Sequence, residues 1–352
     1  MMMGVIAAVI GSLAFAFAAV LQSMAAEWTA RGQAREAAQT PGPVESKAHP
    51  SLRSTMQTAI KWPFLLGLLF DVIGFGATIL SARMIPLFLS QSIIAARLVV
   101  TAVLAMVILN VALRTRDWIA GSVVIVALVM LAIGAGPEGS VNDTWMHWAT
   151  LGATFVLFGL GLVLMRVLRS HIAAATGLVA GAMFGVMAVA SRVLDGLAPF
   201  SLGQLLTDPA LYGLALSGIL GFYLFTVALQ TGSVNGAAAA LVVGETVIPG
   251  AIGILLLGDA IADGWVIPTT LAFVAAVIGG VIVSSSSAVQ VVEHGEAAAF
   301  HLETRPRHLD AGHAESHDAE SHDAGPSQIG PSQVGPSQVG PSNTEHRPAD
   351  RR

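Results

Sequence analysis

Three ionisable residues, Asp71, Arg97 and Glu245, stand near the middle of apolar runs long enough to cross a bilayer. A charge at that depth costs roughly 2.5 to 3.5 kcal/mol on insertion scales. A chain that keeps three of them holds them against one another or against a substrate. Asp71 and Arg97 lie on consecutive runs joined by a tight turn near Arg83, so they reach similar depth. An Asp71–Arg97 ion pair is then the economical arrangement, serving as a structural clamp or as a gate. Glu245 has no obvious partner. A lone carboxylate taken out of water favours its neutral form unless a cation approaches, which is the behaviour wanted of a proton- or cation-coupled group. Glu245 is therefore the leading functional candidate.

Neutral polar residues add a second layer. Gln22 and Gln91 are candidate substrate contacts, with interhelical hydrogen bonding as their plainer role. Gly177, Gly181 and Gly185 form a small-residue ridge that suits close helix packing and would also allow a homodimer. Arg166 and Arg192 fall at run ends, where long cationic side chains snorkel to the interface. Seven of the ten histidines lie in the C-terminal region, from His294 to His346. Neutral imidazoles bind zinc or nickel, but a solvated tail explains them without a metal. The sequence contains no HExxH, no GxSxG elbow and no phosphate-binding P-loop, so neither catalysis nor ATP-driven transport is expected, and no cofactor is implied.

The elements that position these residues follow from composition. Of 352 residues, 54% are hydrophobic and 11% charged, with no cysteine and a mean hydropathy of +0.73. Soluble domains carry about 25% charged residues, so most of this chain belongs in lipid. The absence of cysteine excludes disulfides and thiolate metal sites. No basic patch interleaved with aromatics supports nucleic-acid binding. Nine runs reach the roughly 20 residues a membrane helix needs: 3–25, 62–81, 84–108, 117–135, 148–168, 172–193, 210–230, 236–258 and 265–288. All must be helical, because an open sheet edge leaves backbone groups unsatisfied in lipid. The first run lacks a preceding basic residue and exceeds a signal-peptide core, so it reads as a retained span.

Residues 26–60 are polar and read as a loop. Residues 292–352 read as a disordered tail, with Ala314–Asp318 repeated at Ala319–Asp323 and then Gly-Pro-Ser-Gln repeats. Basic residues set the orientation. Arg31, Arg35, Lys47, Arg53, Lys61, Arg114, Arg116, Arg166 and Arg169 fall on one side, against Arg83 and Arg192 on the other. The first side should be cytoplasmic, placing the N-terminus outside and the tail inside the plasma membrane. Spans 1–4 and 6–9 then run in opposite senses, as in two inverted-repeat halves with span 5 as connector.

Four local patterns carry a family resemblance. Span 1 ends Ala18-Ala19-Val20-Leu21-Gln22-Ser23-Met24-Ala25-Ala26, and span 3 opens Ile85-Pro86-Leu87-Phe88-Leu89-Ser90-Gln91. Span 6 carries Gly177 to Gly185, and span 8 carries Val242-Val243-Gly244-Glu245 and ends Leu255-Leu256-Leu257-Gly258-Asp259. In order and spacing these resemble the drug/metabolite transporter superfamily, in particular its EamA-like and NIPA-like multi-span members, over residues 3–288. Ser92 and Thr246 stand where that family often has proline, and Pro249 follows Glu245 by four positions. The resemblance implies an all-α polytopic secondary transporter that moves a small metabolite or a cation by alternating access. Its site would lie among spans 1–3 and 6–8, at Glu245, Asp71, Arg97, Gln91 and Gln22. A lipid-linked-sugar or polyprenyl-phosphate flippase and a non-transporting envelope scaffold are the competing readings. A lateral opening lined by Arg97 would favour the flippase, and the absence of a midplane cavity would favour the scaffold.

Overall fold

The computed structural model describes residues 1–39, 62–168, 172–197, 199–231 and 234–300. They form twelve helices: α1 (Met2–Gln39), α2 (Trp62–Met84), α3 (Leu87–Ala95), α4 (Arg97–Ile108), α5 (Thr115–Gly134), α6 (Thr144–Val167), α7 (Ile172–Val193), α8 (Leu202–Thr207), α9 (Pro209–Thr231), α10 (Val234–Leu255), α11 (Val266–Ser284) and α12 (Ser287–Phe300). Among the described residues, nine segments are long and apolar enough to cross a membrane, α3 and α4 together making one of them. Leu69, Val72, Ile119, Val126, Val156, Ile267 and Leu271 are exposed around the bundle. Apolar surface on that scale needs lipid rather than water as its solvent.

The spans agree with the hydropathy reading to within a few residues, and the flanks differ. α1 continues to Gln39, so residues 26–39 are helical where a loop is expected; 40–61 lie outside the described residues. A further helix, α12, follows the last span across Ser287–Phe300, where the reading has a span ending at 288 and a tail beginning at 292. α12 packs on α1 and α4, and its Val289 and Val292 are buried with Val20, Leu98 and Ala105. The expected disordered tail from 301 onward lies outside the described residues.

α7 is the hub of the second half, packing against α9 and α10. Small residues make this possible, because dispersion and close backbone approach drive helix association once lipid replaces water. A Cβ on Gly244 would fall 2.6 Å from the carbonyl oxygen of Leu178, and one on Gly177 or Gly181 would overlap the carbonyl of Ala237 or Leu241. The glycine ridge is thus used within the chain. Pro249 is accommodated inside α10, which runs on to Leu255. The hydroxyls of Ser92 and Thr246 bond back to the carbonyls of Phe88 (2.6 Å) and Val242 (2.7 Å), four residues earlier.

Candidate functional site

A break in the third span sets the geometry. α3 ends at Ala95 and α4 starts at Arg97, with Ala96 as a turn residue between them. Arg97 opens the new helix and reaches Glu245 on α10, its Nη2 donating to the two carboxylate oxygens at 3.4 and 3.2 Å. The guanidinium also lies 5.6 Å from the centroid of the Phe15 ring, close enough for a cation–π contact. Asp71 instead accepts a 2.5 Å hydrogen bond from Gln22 Nε2 on α1. Gly67 makes room for that contact, since a Cβ there would sit 2.8 Å from Gln22 Cγ.

This overturns the expected pairing. Arg97 pairs with Glu245 and not with Asp71, and Glu245 is not alone. Depth admits either carboxylate as partner, because all three charges sit at similar height. Rotation about the helix axis decides between them, and Arg97 stands directly after Ala96, the turn residue between α3 and α4.

Asp71, Gln91, Arg97 and Glu245 line one cavity of about 510 Å³. Gln22 stands behind Asp71 and is not part of the lining; it is a positioning residue for the carboxylate. Gln91 is buried, and its Nε2 has no hydrogen-bond partner among the described residues. A buried amide donor left unsatisfied costs on the order of 1–3 kcal/mol, so an acceptor brought to this N–H would be favoured. The rest of the wall is apolar and aromatic: Phe75, Phe184, Met187, Phe222 and Phe225. Ile219 on α9 also lines the cavity and is 67% exposed at the bundle surface, so the wall runs out to the lipid-facing side between α2 and α9. Val289, Val292 and Glu293 of α12 line the end of the cavity that lies towards the last helix.

The opposite end of the bundle is held by Arg192. Expected at the interface, it is buried. Its Nη1 donates to the carbonyls of Ala82 and Ile85, at 2.7 Å for Ile85, and its Nη2 to Gly139 O and Asp259 Oδ1, both at 2.9 Å. Asp259 in turn accepts from the backbone N–H of Leu87 (2.7 Å) and of Gly139 (2.8 Å). The pair leaves only 7% and 0% of its side chains exposed. Both carboxylate oxygens and both terminal guanidinium nitrogens are hydrogen-bonded, the condition under which a buried ion pair holds together. The sequence carries no sign of this ion pair. A run-end arginine reads as a snorkelling one, and nothing in the spacing joins it to Asp259 sixty-seven positions later. Arg83, beside it, donates to the carbonyl of Leu194 at 2.5 Å. Arg166 is exposed, as expected of a run end.

This chain is similar to an uncharacterized protein of Corynebacterium glutamicum, 27% identical over 150 residues, which is 42% of this chain. The match spans about half of that relative, 52% of its length. No family model and no solved structure matches the chain.

Proposed function

We propose that the chain is a secondary transporter of the drug/metabolite transporter type in the plasma membrane, moving a small amphipathic metabolite by alternating access. The observation that carries the proposal is the cavity. Four of the five nominated polar residues line it, the fifth positions one of them, and the facing wall is aromatic. Such a lining suits a solute with one polar or charged end and one apolar face. A magnesium ion fits less well: one carboxylate is committed to Arg97 and the other to Gln22, which leaves few free oxygens for a hard cation.

The mechanism follows from which contacts must change. The Arg192–Asp259 network closes the bundle at the end that carries Met2, while the cavity extends from mid-depth towards the end that carries α12. With the N-terminus outside, as the loop charges favour, a closed Met2 end and a cavity towards α12 suit the inward-facing state of a carrier built of two inverted halves. Substrate at Arg97 competes for the guanidinium, and Glu245, released from its partner, is free to take a proton. Breaking one ion pair and exposing the other then reverses access.

Ile219 supports one further reading. A cavity that reaches lipid between α2 and α9 also suits a lipid-linked substrate, whose phosphate would meet Arg97. The test that separates these readings is metabolite, metal and lipid-intermediate profiling of a strain lacking the protein. The strain is complemented with wild type or with Glu245→Gln. A soluble metabolite restored by wild type and not by Glu245→Gln is the expected result. That metabolite then serves in proteoliposomes with a pH gradient, where wild-type uptake by Glu245→Gln refutes the coupling role.

A further inference from the structure

Away from the cavity, at the bundle end carrying Met2, His147 in the first turn of α6 meets Asp195, Asp208 and Asn142. Asp208 is buried and accepts three hydrogen bonds: from His147 Nδ1 (2.7 Å), from the N–H of Asp195 (2.7 Å) and from the N–H of Ala210 (2.8 Å). This is ordinary capping of α9, where an Asp precedes Pro209. It also fixes the imidazole, because an ionised carboxylate only accepts and so places a proton on Nδ1.

The other ring nitrogen carries the argument. His147 Nε2 faces Asn142 Oδ1 at 3.0 Å and Asp195 Oδ2 at 3.9 Å. The amide is held in that sense, since its Nδ2 donates to Asp195 Oδ1 at 3.2 Å. Turning it over would set its oxygen against the carboxylate. With Nδ1 engaged by Asp208, Nε2 is left beside two oxygens that can only accept, Asn142 Oδ1 and Asp195 Oδ2. A positive centre belongs there.

We infer that His147 Nε2, Asp195 and Asn142 Oδ1 form a binding site for a divalent cation of the zinc class, with Asp208 orienting the imidazole. Imidazole and carboxylate are donors such ions take, and the Asn142 carbonyl oxygen, a harder donor, stands with water in the remaining positions. Bonds of about 2.1 Å at a tetrahedral centre put neighbouring ligand atoms about 3.4 Å apart, and the two distances from Nε2 fall on either side of that value. The nitrogen and carboxylate oxygens of His147, Asp195 and Asp208 lie within 4.8 Å of one another. A carboxylate on the second ring nitrogen is the usual support of a metal-bound histidine. Asp195 is 62% exposed, which gives the ion and its remaining water ligands access from solvent. Occupancy ties the start of α6, the segment after α7 and the start of α9 together. The inference does not rest on the transport reading.

The test uses the full-length chain in detergent, stripped with a chelator and titrated with zinc chloride, then with cobalt(II) for its visible absorption. Wild type should bind one more equivalent than Asp195→Asn, and zinc should raise the melting temperature of wild type only. The tail histidines are common to both chains, so the difference isolates the site. Asp195 is exposed, so its substitution leaves the packing intact. Asp208→Asn should weaken binding about 10- to 100-fold, as loss of an orienting carboxylate does elsewhere. Equal binding and equal thermal shifts in wild type and Asp195→Asn would overturn the inference, leaving His147 a hydrogen-bonded link between Asp208 and Asn142 with no part in metal binding.

Discussion

Glu245→Gln removes the charge facing Arg97 and leaves the guanidinium in the wall of the cavity. Two unit charges 3.2 Å apart attract by about 5 kcal/mol at an effective dielectric constant near 20. Part of that offsets the cost of taking both out of water. Removing one partner of a buried pair costs about 3 to 5 kcal/mol. Arg97 keeps 25% of its side chain exposed, so cavity water can solvate the orphan, and the loss belongs at the low end, about 3 kcal/mol. Arg97→Gln should cost a similar amount. The double variant Arg97→Gln/Glu245→Gln should cost less than the two together, giving a coupling energy of about 2 kcal/mol. The same cycle between Arg97 and Asp71 should give under about 1 kcal/mol, because Asp71 is hydrogen-bonded to Gln22. The assay is reversible unfolding in mixed micelles, with each single and double variant measured under one condition. A larger coupling to Asp71 than to Glu245 would refute the pairing.

Three other outcomes follow from the same structure. Asp259→Asn should destabilise the chain by about 3 to 5 kcal/mol and open the Met2 end, because Arg192 is left buried without a counter-charge; the chain has no cysteine, so Thr78→Cys in that background should gain labelling by an impermeant maleimide, and unchanged labelling counts against a latch. Gly244→Val should cost more than about 2 kcal/mol and reduce the folded yield on size exclusion, since its Cβ would lie 2.6 Å from Leu178 O across the α7–α10 contact. Truncation after Phe300 should leave uptake of the identified metabolite unchanged, whereas truncation before Ser287 removes the buried Val289 and Val292 and should lower it; loss of uptake in the longer chain would give the histidine-rich tail a role.

What was legible in the sequence was depth. Hydropathy measures transfer into lipid along one axis, so Ile172–Val193 emerges with the same ends from sequence and structure. Orientation about the helix axis was not legible. The partner of Arg97 depends on which face of the third span it occupies, and a central apolar run gives no local signal for the turn at Ala96 without glycine or proline. α12 escaped because it is neither long nor apolar enough to be read by hydropathy, and its order comes from packing two valines on α1 and α4. His147 and Asp208 stand 61 positions apart. The only hint was Asp208 before Pro209, a helix-start signal that names the acceptor and leaves its distant donor unknown.

The polar contacts separate by what they join. Gln22–Asp71 links the first span to the second, within the first four. Arg97–Glu245 links the third span to the eighth, and Arg192 links the sixth to the carbonyls of Ala82 and Ile85 at the turn between the second and third. If the first four spans and the last four rock against each other, contacts within a half can persist while contacts between halves must break. The contact bordering the cavity is an ion pair between halves, whereas at the far end the Arg192–Asp259 pair lies within the second half and grips the first through backbone groups, the carbonyls of Ala82 and Ile85 and the N–H of Leu87. Such pairs add little net stability when intact and cost several kcal/mol when half is removed. They therefore act as discrete two-state contacts more than as glue. On the proposed transport reading, a substrate that exchanges with Glu245 at Arg97 weakens the first directly, and the backbone contacts of Arg192 and Asp259 then bear the load between the halves. On that same proposed reading, the division gives coupling to Arg97 and Glu245 and gating to Arg192 and Asp259, and leaves Asp71 with Gln22 to hold the second span in place.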